Sequence, residues 1–92
     1  MIVRILTEGQ FRIEQSALAE LNELDDAVLT ACKTEDRPVF EAALTRLIDR
    51  VREVGEPLGL EELLPSDFVL PMADATMEEV AELLTDEGLI PD

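Results

Sequence analysis

Beyond Arg52 the chain has no lysine and no arginine. Residues 1–52 hold ten acids and seven bases, a net charge of −3; residues 53–92 hold twelve acids and no base, a net charge of −12; together they make the −15 of the whole. A surface this negative repels nucleic-acid phosphates and anionic lipid heads and attracts basic protein surfaces. Histidine is also missing. That removes the commonest general base and excludes a Ser-His-Asp or Cys-His catalytic centre within one chain. Tryptophan and tyrosine are absent and only three phenylalanines are present, so the stacking platforms of a sugar cleft are not supplied. One cysteine cannot form an internal disulfide, and nothing ties the chain to an oxidising compartment. No apolar run approaches the roughly 20 residues of a membrane span, and Met1-Ile2-Val3-Arg4 does not open a signal peptide. A cytoplasmic location without direct membrane insertion is expected, with membrane association only through a partner.

What is present is enough for a core. The hydrophobic fraction of 47% is that of a folded protein and argues against disorder despite the charge. Ninety-two residues suit a single small domain, which buries roughly 60–65% of its unfolded surface. The expected fold class is α+β. A β-hairpin spans 1–15 and an antiparallel helix pair spans 16–55. An extended linker covers 56–75, and a short C-terminal helix and tail cover 76–92.

Ile2 to Glu14 alternates as a hairpin around Thr7-Glu8-Gly9. A two-residue loop at Glu8-Gly9 would place Arg4 in the middle of the apolar face. A three-residue loop with Gly9 left-handed pairs Ile5 with Phe11 and Val3 with Ile13, and turns Arg4 and Arg12 outward. This second register is preferred. It leaves Ile2 and Leu6 on the outer face, as ordinary surface or as part of an interface.

Ser16 is the predicted N-cap of a helix over about residues 17–33, with Leu18, Leu21, Leu24 or Asp25, Val28, Leu29 and Cys32 on its stripe. Asp36 is placed to cap the next helix, with Pro38 in its first turn. Val39, Phe40, Ala43, Leu44, Leu47, Ile48, Val51 and Val54 mark its buried side, and Gly55 a C-terminal stop. Leu60 to Leu64 suits a helical turn. Phe68-Val69-Leu70 suits either a third strand near residues 67–70 or an extended segment pressed on the core. Thr76-Met77-Glu78-Glu79 is a capping box opening a helix that turns Met77, Val80, Leu83 and Leu84 inward and ends near Gly88. Glu78 and Glu79 suit the positive start of that helix, whereas Asp86 and Glu87 sit at its negative end without a folding reason.

No catalytic, cofactor or metal residues are assigned. Cys32 reads as a small core residue, since a reactive thiol wants exposure and nearby positive charge. Adjacent acids such as Asp25-Asp26 or Glu61-Glu62 point apart on a helix. Glu78 and Glu82 do share a face, but a specific cation site needs more oxygen ligands than two. The acidic C-terminal part is either a solvated face or an acidic docking surface.

Four segments carry a family resemblance: Met1-Ile2-Val3-Arg4-Ile5-Leu6 with Glu8-Gly9-Gln10-Phe11-Arg12; Leu21-Asn22-Glu23-Leu24-Asp25-Asp26-Ala27-Val28; Ser66-Asp67-Phe68-Val69-Leu70-Pro71 running into Ala73-Asp74-Ala75-Thr76; and Glu87-Gly88-Leu89-Ile90-Pro91. By their order the chain resembles the PspA-associated protein family, PspAA, nearly end to end. Met72 stands where the pattern implies a second proline. The resemblance implies a small cytoplasmic protein of the membrane stress response. It is associated with PspA, a coiled-coil protein that coats stressed membranes, often in the neighbourhood of an HtpX-type zinc protease. It carries over no functional residues.

The expected role is therefore non-enzymatic: an adaptor or regulator engaged in a protein–protein interaction with a PspA-like coiled-coil protein through an acidic surface. Glu78, Glu82, Asp86 and Glu87 are the candidate contacts, with Ile2 and Leu6 as apolar anchors. The alternatives are an acidic nucleic-acid mimic that occupies the groove of a DNA-binding protein, and a self-associating homo-oligomeric subunit.

Overall fold

In the computed structural model, which describes residues 1–6, 8–59 and 65–83, the hairpin pairs β1 (Ile2–Ile5) with β2 (Gly9–Arg12) in antiparallel fashion. Val3 faces Phe11, Arg4 faces Gln10 and Ile5 faces Gly9. The expected register, Ile5 with Phe11, is thus displaced by two residues. The Glu8 N–H donates to the Ile5 carbonyl at 3.0 Å, so the turn closes at Glu8. Gly9, with φ of +110°, becomes the first strand residue instead of the last loop residue. Because side chains alternate with period two, a two-residue slip leaves every side chain on the expected face. Val3, Ile5, Phe11 and Ile13 are buried, and Arg4 and Arg12 are exposed. The ladder extends to Met1, whose ammonium and carbonyl both bond Ile13.

Two further strands complete a four-stranded mixed sheet in the order β3-β2-β1-β4. β4 (Phe68–Leu70) is the anticipated third strand near residues 67–70, and it runs parallel to β1. Asp67 fixes its start: its carboxylate accepts from the Ile2 N–H at 2.7 Å while its own N–H donates to the Ile2 carbonyl. β3 (Glu56–Pro57) pairs with β2 at the opposite edge. It was not foreseen, because two residues show no alternation. Pro57 is tolerated there because an edge strand leaves one side of its backbone unpaired.

The helix pair is formed by α1 (Leu18–Lys33) and α2 (Arg37–Val54). Ser16 does not cap α1. It lies in a 3-10 turn over Gln15–Ala17, where the Ala17 N–H donates to the Glu14 carbonyl and the chain tightens into the helix without a side-chain cap. At the far end Glu35 is left-handed, with φ of 55°. The Asp36 N–H bonds the Ala31 carbonyl and the Glu35 N–H bonds the Cys32 carbonyl, a Schellman closure made without glycine. Asp36 then caps α2 through the Val39 N–H, with Pro38 in the first turn, as expected.

The core joins Val3, Ile5, Phe11, Ile13 and Leu70 of the sheet region to Leu21 and Val28 of α1, and to Phe40, Leu44, Leu47, Ile48 and Val51 of α2. Val39, expected inward, is 51% exposed because it falls on the solvent side of α2's first turn. Gly55 ends α2 as expected and is its C-cap, but with an extended backbone, and it also allows close approach to β2. α3 (Met77–Leu83) opens on the predicted capping box. The Thr76 hydroxyl accepts from the Glu79 N–H at 3.2 Å, while Glu79 accepts from the Thr76 N–H and hydroxyl. Val80 carries α3 into the core. The expected helical turn at Leu60–Leu64, together with Leu84, Asp86, Glu87 and Gly88, lies outside the described residues.

Candidate functional site

The outward face of the sheet follows from the alternation. Arg4 stands there with Gln10 and Val69 as its register neighbours, and Ile2 stands opposite Arg12. Ile2 and Leu6 are half-buried and Val69 is 40% exposed, so this face is mixed apolar and basic. Gln10 is buried although it faces outward, and its Nε2 donates to the Ser66 hydroxyl at 2.9 Å. Sequence reasoning missed that contact. A polar residue in the outward phase of a hairpin gives no sign that a segment 56 positions on will lie over it.

The acids of α3 occupy a different side. α3 inserts Val80 into the core, whereas Ile2 and Leu6 point away from it. Of the predicted acids, Glu78 and Glu82 are among the described residues, and the structure does not bring these two into one patch with the predicted apolar anchors. Glu78 reaches across to α2, where Arg37 donates to it at 2.7 Å, with both side chains about two-thirds exposed. Its carboxyl is held below the usual range first by its own N–H at the helix start, and next by the Arg37 charge. Glu82 is exposed. Among the described residues no group of three or more metal-ligating side chains converges, and no helix is long and apolar enough to cross a membrane.

Three of the seven basic residues, Arg37, Arg50 and Arg52, are held in internal ion pairs. Arg50 bridges Glu20 at 2.6 Å and Glu53 at 2.8 Å. Arg52 joins Asp49 at 2.7 Å to Glu8 across the turn of the hairpin, through both oxygens of the Glu8 carboxylate. Ion pairs of this kind raise both guanidinium pKa values further, chiefly through the Glu20 bond to Arg50 and the Glu8 bond to Arg52. Cys32 is half-buried, and desolvation pushes its thiol up, away from reactivity.

The Arg52 hydrogen bond also holds the Glu8 carboxyl below its ordinary value, partly opposed by desolvation. A lowered folded-state pKa stabilises above the unfolded value and is lost as pH falls through the folded one. Glu8→Gln is therefore expected to destabilise the fold slightly at pH 7, by well under about 1 kcal/mol for so solvated a pair, and so to lower the melting temperature a little. The gap should close below about pH 4. Paired thermal melts across pH check this, and a gap that persists at pH 3 contradicts it.

A mixed sheet covered by two helices, with three of its arginines in internal ion pairs and exposed acids on a capped third helix, defines a small acidic α+β protein with no recognisable reaction centre among the described residues. The model of the PspA-associated protein family, PspAA, matches residues 1–92, and the chain belongs to that family. No curated protein and no solved structure matches it.

Proposed function

We propose that the chain is a non-enzymatic adaptor or regulator that binds a PspA-like coiled-coil protein of the membrane stress response through an acidic surface. The observation that carries this reading is the family match over the full length of the chain. The charge distribution supports it, since all twelve charged residues after Arg52 are acids. Arg37, Arg50 and Arg52 are held in internal ion pairs, which leaves acids to face a partner. A basic helical face on the partner is the complementary surface, and occupying it would compete with anionic lipid for the same charges. Glu78, Glu82, Asp86 and Glu87 are the proposed acidic contacts, with Ile2 and Leu6 as a separate apolar contact on the sheet. The protein acts in the cytoplasm and reaches the membrane only through its partner. Direct titration against the PspA homologue of the same organism tests this. A saturable complex is expected, and its absence overturns the reading.

A further inference from the structure

On its solvent side the helix pair leaves an apolar groove of about 210 Å³, lined by Leu24 and Ala27 of α1 and by Val39, Ala42, Ala43 and Arg46 of α2. Three of these six residues are alanine, which keeps the floor low enough for another backbone to approach closely. Val39 at its upper end is the more exposed of the two exposed large hydrophobic residues among the described residues. From Val39 to Arg46 the groove runs two helical turns, about 10 Å. A void of about 150 Å³ holds a benzene-sized group. The groove therefore takes one or two branched aliphatic side chains a single turn apart.

Both walls are helices whose backbone groups bond within themselves, so the groove offers an incoming chain side chains and little backbone pairing. An extended segment would leave its own N–H and C=O groups without partners there, whereas a helix satisfies them internally. The rims set the sign of its flanks. Glu23, one turn before Ala27 on α1, and Arg46 on α2 are both exposed, and neither makes an ion pair with the described residues. A helix with a base on one flank and an acid on the other, either side of an apolar stripe, satisfies both. That is the charge pattern of a coiled-coil helix. A second copy of this chain fits poorly, because two molecules of charge −15 repel each other.

We infer that the α1–α2 groove seats one amphipathic helix of a coiled-coil partner, with an aliphatic side chain entering between Ala27 and Ala42, a base of that helix on Glu23 and an acid on Arg46. This rests on the reading above that a PspA-like protein is the partner, and it assigns a second contact beyond the acidic one. The test uses the full chain and the purified PspA homologue in calorimetric titrations. Ala42→Glu fills the groove with a charged side chain at an exposed helical site. Thr45→Glu adds the same charge one turn away, outside the groove. Val39→Gln removes the apolar end without adding charge. Circular dichroism melts establish that each variant folds. Ala42→Glu is expected to weaken binding at least about tenfold and Val39→Gln about threefold, with Thr45→Glu close to the parent. Equal binding by the parent and Ala42→Glu overturns the groove alone. Equal losses in Ala42→Glu and Thr45→Glu also overturn it, since bulk charge would then account for both. Failure of the parent to bind overturns the groove together with the reading beneath it.

Discussion

Gly55→Ala is expected to destabilise the fold by about 1–3 kcal/mol. For a protein of this size that lowers the melting temperature by about 4–8 °C for each kcal/mol. The backbone there is extended, with φ of −86° and ψ of 148°, so alanine has no dihedral objection. The obstacle is space. A Cβ at residue 55 would stand 2.5 Å from the Val51 carbonyl oxygen, 2.8 Å from Ile13 Cδ1 and 3.0 Å from Phe11 Cβ. Ile13 can turn its terminal methyl aside. The Val51 oxygen cannot move without loosening its 2.8 Å bond from the Gly55 N–H, which closes the end of α2. Gly59→Ala is the control, because nothing lies within 4 Å of its added Cβ. Its melting temperature should match the parent or rise slightly, as alanine restricts the unfolded chain. Thermal melts of the three proteins decide the matter, and equal melting of Gly55→Ala and the parent would show that α2 does not need this close approach to β2.

Glu82→Lys is expected to weaken the complex with the PspA homologue about tenfold at low salt. Glu82 is exposed and forms no ion pair with the described residues, so reversing it leaves the fold alone. Glu78 is a poorer choice, since its reversal would also set two positive charges together at Arg37. An exposed charge pair is worth about 0.2–1 kcal/mol. Reversal replaces that attraction with a comparable repulsion, a change of about 0.4–2 kcal/mol, and tenfold, about 1.4 kcal/mol, lies in the upper part of that range. Titrations of parent and variant at low salt supply the comparison. Unchanged affinity would remove α3 from the interface and leave the helix groove or the sheet face to carry the binding.

Much of the fold was legible because local chemistry and tertiary packing agree. Asp36 with Pro38, and Thr76 with Glu79, signal helix starts through bonds made within three residues, and both starts are found. The hairpin faces follow from period two and survive the two-residue slip in register. The slip itself was not legible, because a left-handed glycine serves equally well inside a loop or just after it. Ser16 misled for a related reason: a good capping residue was overridden by a 3-10 turn that already engages the Ala17 N–H. Val39 shows the limit of a helical stripe, whose edge is set by where the neighbouring helix lies. Asp25 is buried on α1, where the periodicity allowed either it or Leu24; Leu24 instead borders the open groove. Of the candidate site, exposure of Glu78 and Glu82 was legible from the capping pattern. The pairing of Glu78 with Arg37, across 41 positions, was not.

Calorimetric titration of the PspA homologue with the purified chain at about 50 mM and about 300 mM salt tests the central claim most directly, since screening over about 10 Å or less removes contacts between exposed charges. An acidic adaptor predicts a complex at low salt that weakens severalfold or more at high salt, with Glu82→Lys converging on the parent as salt rises. Affinity equal at both salts, or no complex at either, contradicts it.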